Sequence, residues 1–298
     1  MVKRITAIII TLLVSALIMP AQAAINENLI NNPGFETVTS NKPTIWSLSK
    51  SGGQTASWGN DAVLSTDKNN GTYGARISSS IYGENITISQ TNYSMTGRTE
   101  YTFSAYIKVE NLGADSYAQM KVDMLNSSRQ SVGSIGDAIS RVTNGYQLLS
   151  KTFISEEECA IATFQLRLIG TGAVYYDDVS VMQISEPEKI VFKSDQVFYY
   201  SDEELKKGTL NVSINRYYLS SVTGGKAVFS IADGTYPLYN SGDIQITGSS
   251  VSAEFPISAL LTKKRAYKAK VTLYDKEGQE FTSGESFVYK YDRPKYLT

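Results

Sequence analysis

Carboxylates carry most of the chemistry open to this 298-residue chain. It contains no His and a single Cys, Cys159. That excludes a Ser-His-Asp or Cys-His triad, His-ligated zinc and imidazole acid–base chemistry. What remains is acid chemistry, Lys, Tyr, and oxygen-ligated hard cations such as calcium. The acids cluster as Glu156-Glu157-Glu158, Asp177-Asp178 and Asp202-Glu203-Glu204, with Glu36 isolated in "NNPGFE". A glycosidase needs two carboxylates facing each other across a cleft. These clusters sit at turns and strand ends, as solvated charge does, and none lies in a recognisable catalytic signature.

Asp177 lies in "VYYDDVSV", where a period-two strand puts it on the same face as Val179 and Val181. A carboxylate on a core face is costly unless neutralised, and a cation would neutralise it. Glu36, directly after the apolar Phe35, is the natural second carboxylate. First and last strands often meet in a β-sandwich, so the pair can converge across about 140 residues. Backbone carbonyls such as that of Gly34 would complete an oxygen shell, with a further ligand from the loop around Ser51 to Gly53. The same acids also read as ordinary turn residues in solvent. Cys159 reads as a packed thiol at a strand start, and no disulfide can form within the chain.

The elements that must position these residues are strands almost throughout. Short runs of Val, Ile, Thr, Tyr and Phe alternate with polar residues between Gly, Asn, Asp and Ser turns. "EYTFSAYIKVE", "YAQMKVDML" and "ATFQLRLIG" are examples. The predicted fold is all-β: a jelly-roll (galactose-binding-like) β-sandwich over residues 24–184, then an immunoglobulin-like β-sandwich over residues 185–298. "SEPEK", Ser185 to Lys189, marks the boundary. "DKEG", Asp275 to Gly278, reads as a hairpin turn, and "SDEELKK", Ser201 to Lys207, as one helical turn capped by Ser201.

Residues 1–23 read as a signal peptide: Lys3 and Arg4, an apolar run from Ile5 to Met19, Pro20, then Ala21-Gln22-Ala23. The apolar run is short for a membrane span. The expectation is a secreted, extracellular protein with no membrane span after cleavage. Net charge is −1 and the pI about 5.7, which gives no sign of nucleic acid as a partner.

Four ordered blocks resemble one family. "NLINNPGFE" followed by Trp46 is similar to the opening of carbohydrate-binding modules of families four and nine, the CenC-like modules. "MTGRTEYTFSAYIKVEN", "GYQLLSKTF" and "VYYDDVSV" resemble later parts of the same pattern, with Tyr146 where the family often has Trp. The resemblance implies a jelly roll with a structural calcium and a groove for polysaccharide or oligosaccharide. It points to Gly34, Glu36 and an Asp of the closing pair as metal ligands. Modules of this kind accompany glycoside hydrolases, so a catalytic glycosidase domain is the expected partner, with no catalysis in this chain. An adhesion protein and a small hydrolase are the other readings.

Sugars are held by flat aromatic faces and by planar polar side chains on outward positions. Alternation turns Arg76, Tyr106, Gln165 and Arg167 outward, and they would make one polar floor if their strands shared a sheet. Trp58 and Tyr82, near turns, are alternative platforms. Trp46 reads as core.

Overall fold

A computed structural model describes residues 25, 27–52, 54–92, 94–200, 207–261 and 265–292. The predicted signal peptide, Gly53, the predicted turn at 201–206 and the C-terminal residues 293–298 lie outside the described residues. Lys207 itself begins a strand.

A two-stranded ribbon comes first, β1 (Val38–Thr39) against β2 (Lys42–Pro43). Ten longer strands follow: β3 (Ser47–Lys50), β4 (Ala62–Ser65), β5 (Gly74–Ser79), β6 (Asn85–Asn92) and β7 (Glu100–Glu110), then β8 (Tyr117–Leu125), β9 (Ser131–Ile139), β10 (Gln147–Ile154), β11 (Ile161–Ile169) and β12 (Gly172–Gln183). They form two antiparallel five-stranded sheets. The first has the order β10-β7-β12-β5-β4 and the second β3-β6-β11-β8-β9. Together they make a jelly-roll sandwich.

Strict alternation makes the core. On β7, Tyr101, Phe103, Ala105, Ile107 and Val109 are buried while the residues between them are partly exposed. Ile86, Ile88, Val122, Phe164, Leu166 and Leu168 meet them from the second sheet. Phe35 is fully buried, with its ring 5.0 Å from Trp46. Trp46 is core and donates its indole N–H to the Asn32 carbonyl at 2.9 Å. The opening segment closes on the last strand: Leu29 N–H donates to Val181 O at 2.8 Å, and the Asn28 side chain bonds both Val179 and Val181. Cys159 is buried and its thiol is pushed up to about 11 by burial, as a packed thiol requires.

The expected parity of "VYYDDVSV" is wrong. Val174 and Tyr176 face the core, so Tyr175 and Asp177 face outward. A bulge then intervenes, with the register passing from Asp177↔Tyr106 directly to Ser180↔Ser104. Asp178 takes a left-handed conformation (φ +48°) and supplies the extra residue. Val179 and Val181 therefore return to the core while Asp177 stays on the outer face of the first sheet.

A second core begins at Ile190. Its sheets are β13 (Ile190–Ser194), β15 (Lys207–Ile214) and β19 (Ser250–Pro256) on one side. On the other lie β14 (Phe198–Tyr200), β21 (Glu280–Tyr291), β20 (Arg265–Tyr274), β16 (Lys226–Asp233) and β17 (Tyr236–Asn240), with β18 (Ile244–Gln245) also on β16. β14 runs parallel to β21 and the other pairs are antiparallel. A three-stranded sheet faces a larger one, which makes a second all-β sandwich. The predicted hairpin at Asp275 to Gly278 joins β20 to β21, closed by Asp275 N–H to Gln279 O at 2.9 Å. Buried Asn215 bridges the sandwiches, donating to Gly97 O at 2.8 Å and Glu188 O at 3.0 Å.

Candidate functional site

The predicted metal ligands come together. A Cβ at Gly34 would lie 3.7 Å from Asp177 Oδ1, 3.6 Å from Glu36 Cγ and 3.9 Å from Asp178 Oδ1. The loop between β4 and β5 folds over these acids. Asp177 Oδ2 accepts the amides of Asn69 (2.8 Å) and Asn70 (2.9 Å), and Oδ1 accepts that of Asp178 (2.8 Å). Glu36 Oε1 accepts the amides of Thr72 (2.7 Å) and Tyr73 (3.1 Å). Gly71 makes this closure possible, because a Cβ there would sit 2.0 Å from Glu36 Oε1.

Asp177 is fully buried. Burial raises its pKa above the usual carboxylate value, the amide bonds lower it only in part, and the charge of Asp178 adds to the rise. Burial also lifts Glu36, but the amides of Tyr73 and Thr72 outweigh it and hold the carboxyl below its ordinary value. Asp177 is buried by this loop, and the expected placement on the core face is corrected. The donors here are oxygens, which suits a hard cation. Backbone N–H groups already use several of the acceptor positions. Among the described residues, no three His, Cys, Asp or Glu side chains are grouped to hold a metal ion.

The predicted sugar-binding residues do not form one floor. Arg76 (β5) and Tyr106 (β7) lie on the outer face of the first sheet, opposite Tyr175 and Asp177 of β12. Gln165 and Arg167 lie on β11, in the second sheet. The sandwich core separates the two pairs, because outward means opposite directions for its two sheets.

On the first sheet the polar groups satisfy one another. Lys108 Nζ lies 2.6 Å from Asp67 and 2.7 Å from Glu110. Tyr175 donates its hydroxyl to Glu110 at 3.0 Å, with Lys108 5.0 Å and Arg76 5.7 Å from its ring centre. Tyr146 donates to the Asp67 carbonyl at 2.9 Å. The Lys108 hydrogen bond holds Glu110 below its ordinary value, the opposite of what a general acid needs.

The second sheet presents the open floor. Ladder rows set Thr87, Arg167, Gln119 and Ala138 side by side, then Ser47, Ser89, Gln165, Lys121 and Gly136. Long polar side chains occupy the central strands β11 and β8. Small residues occupy the flanking strands, which leaves room above them. Arg167 donates Nε to Asn85 Oδ1 at 3.2 Å and Nη1 to Gln119 Oε1 at 2.8 Å. Gln165 donates to Asp123, which also lies 2.6 Å from Lys121. Tyr176 crosses the core from the first sheet and donates its hydroxyl to the Arg167 carbonyl at 2.7 Å.

Trp58 lies where the edges of the two sheets meet: its backbone bridges Ala62 of β4, and its side chain packs partly against the core and lines a cleft of about 480 Å³ with Trp46 and Ser47 of the β3 edge. Tyr82, 73% exposed, stands in the β5–β6 turn, three residues before Asn85. Four of the six predicted residues thus belong to the second sheet or its margins. Alternation also turns Gln119, Lys121 and Asp123 outward, but they were not among the predicted sugar-binding residues. Sequence reasoning also missed Tyr175, which the bulge-shifted parity hid.

The chain matches no protein-family model and no curated protein. Among solved structures it resembles the enzymatically active domain of tailspike protein 4 of bacteriophage CBA120 at 15% identity and TM-score 0.44. The match covers 53% of this chain and 21% of the tailspike, so the chain spans about a fifth of that protein's length. It resembles a cyclase from Fischerella sp. at 15% identity and TM-score 0.43, covering 54% and 97%. It resembles TmCBM61 in complex with β-1,4-galactotriose at 13% identity and TM-score 0.38, covering 53% and 99%. Such distant likenesses, to proteins of differing activity, do not assign a ligand to this chain.

Proposed function

We propose that this is an exported, non-catalytic polysaccharide-binding protein whose N-terminal sandwich takes a glycan chain across the outer face of its second sheet. One observation carries the reading: Gln119, Lys121, Asp123, Gln165 and Arg167 stand together on one face between strands of small residues. Amides, a guanidinium and a carboxylate in one layer offer donors and acceptors to several hydroxyls at once. Trp58 at the edge and Tyr82 at the end are the aromatic surfaces against which a ring can stack. The four-block resemblance to modules of families four and nine supports the same reading, as does the signal-like segment 1–23 for export. A calcium ion held by Gly34, Glu36 and Asp177 belongs to it as a structural element, and attachment to a glycoside hydrolase as the purpose of binding.

The test is retention on a panel of insoluble and soluble polysaccharides, comparing the parent with Gln165→Ala/Arg167→Ala and with Tyr106→Ala. The expected result is loss of retention in the double variant and none in Tyr106→Ala, with both folded by circular dichroism. Failure of the parent to bind any glycan, or equal binding by all three proteins, defeats the proposal.

A further inference from the structure

The charge balance of the second-sheet floor narrows the ligand. Three charged side chains project from its two central strands: Arg167, Lys121 and Asp123. Lys121 is neutralised by Asp123 at 2.6 Å. Arg167 touches only the neutral oxygens of Asn85 and Gln119. Its Nη2 has no acceptor among the described residues. By contrast Lys50 reaches Asp61 at 3.0 Å, and Lys108 reaches both Asp67 and Glu110.

Two amide oxygens orient the guanidinium without cancelling its charge. They fix Nε and Nη1 and leave the rest of the donor fork free. Arg167 is also partly buried, so its charge has lost some of its water. A half-desolvated, aimed and unneutralised guanidinium is matched by a planar anion that can accept two parallel N–H bonds. A neutral hydroxyl accepts such bonds more weakly and leaves the charge in place.

We infer that the polysaccharide is acidic, and that Arg167 receives the carboxylate of a uronic acid residue. This rests on the second-sheet face being the sugar site. A ring carboxylate on Arg167 would leave the neighbouring hydroxyls to Gln119, Gln165 and Asp123 along the same rows. A sulfate ester offers related chemistry but three acceptor oxygens in place of a planar pair, and the fork fits the carboxylate better.

The experiment compares purified parent protein on polygalacturonate, alginate and glucuronan, each with its carboxylates free or methyl-esterified. Neutral xylan, galactan and β-glucan, and sulfated carrageenan, complete the set. Esterification keeps the backbone and removes the charge. We expect the free acid form of at least one polyuronate to bind about tenfold more tightly than its ester, with the ratio shrinking as salt rises. Arg167→Gln should bring that ratio close to one, Arg167→Lys should keep part of it, and the paired change Lys121→Gln/Asp123→Asn, which removes both charges of the neutral pair, should leave most of it. Equal binding of acid and ester, or binding of neutral chains alone, overturns the inference while sparing the sugar site. Preference for carrageenan overturns the carboxylate. A ratio erased by Lys121→Gln/Asp123→Asn and kept by Arg167→Gln overturns the assignment to Arg167. No binding to any glycan removes the underlying reading as well.

Discussion

Asp177 stands directly opposite Tyr106 on the outer face of the first sheet, one residue before a bulge that returns Val179 to the core. Asp178 makes this possible by adopting φ +48°. The loop carrying Asn69 and Asn70 then closes over the acid and supplies it with amides.

The bulge sets the first prediction. Left-handed backbone is tolerated by Asn and opposed by a β-branched side chain, at about 1–2 kcal/mol. Asp178→Asn should therefore change unfolding free energy by less than about 0.5 kcal/mol, while Asp178→Val should lose about 1–2 kcal/mol. Denaturant titration checks this. Equal stability of the two variants would mean the bulge is not held at residue 178.

The proposed calcium makes the second. A ligand that binds only the native state raises stability by about 2.7 kcal/mol at a hundredfold excess over its Kd. EDTA should lower the melting temperature by several degrees, added calcium should restore it, and Glu36→Gln should abolish the response. If EDTA has no effect and elemental analysis finds no metal, the amides alone hold the two acids.

Acid stability is the third. The Lys108 hydrogen bond keeps Glu110 below its ordinary 4.5. A depressed carboxyl favours the fold above its unfolded value, and that contribution is lost as pH falls through the folded one. Lys108, raised above its ordinary 10.5 by Asp67 and then Glu110, keeps its own contribution up to that pH and loses it only at higher pH. Glu110→Gln should thus be less stable than the parent at neutral pH, with the difference shrinking below about pH 4.5. Thermal unfolding across that range tests it, and a pH-independent gap would contradict the ion-pair account.

Tyr176 makes the fourth, since its hydroxyl reaches through the core to the Arg167 carbonyl. Tyr176→Phe removes the buried hydroxyl shared between Arg167 O and Gln119 O, and little volume, which costs about 1–2 kcal/mol. Amide exchange along β11 should quicken with it. An unchanged stability would show that the contact does not tie the two sheets.

Several things were legible without coordinates. Alternation over β7, β8 and β11 gave the inward and outward residues, because burial follows a two-residue period wherever the ladder is regular. The two sandwiches, the core role of Trp46 and the hairpin at Asp275 to Gly278 follow from the same local rules. Gly34, Glu36 and Asp177 do meet, as the opening and closing motifs suggested, but on the outer face and not on the core face that period two gave.

Period two fails where a residue is inserted, and the direction of Asp177 therefore depended on Asp178, whose left-handed backbone no pattern announces. Alternation says outward but not from which sheet. Arg76 and Tyr106 were thus grouped with Gln165 and Arg167, although the core separates them. Strand order is set by long-range pairing among segments tens of residues apart, and nothing local in a strand encodes its partner. Where the ladder is regular, the sequence by itself determined which side chains leave the core. Tertiary pairing decided which of them share a face, and so placed Arg167 beside Gln119, with no ion-pair partner among the described residues.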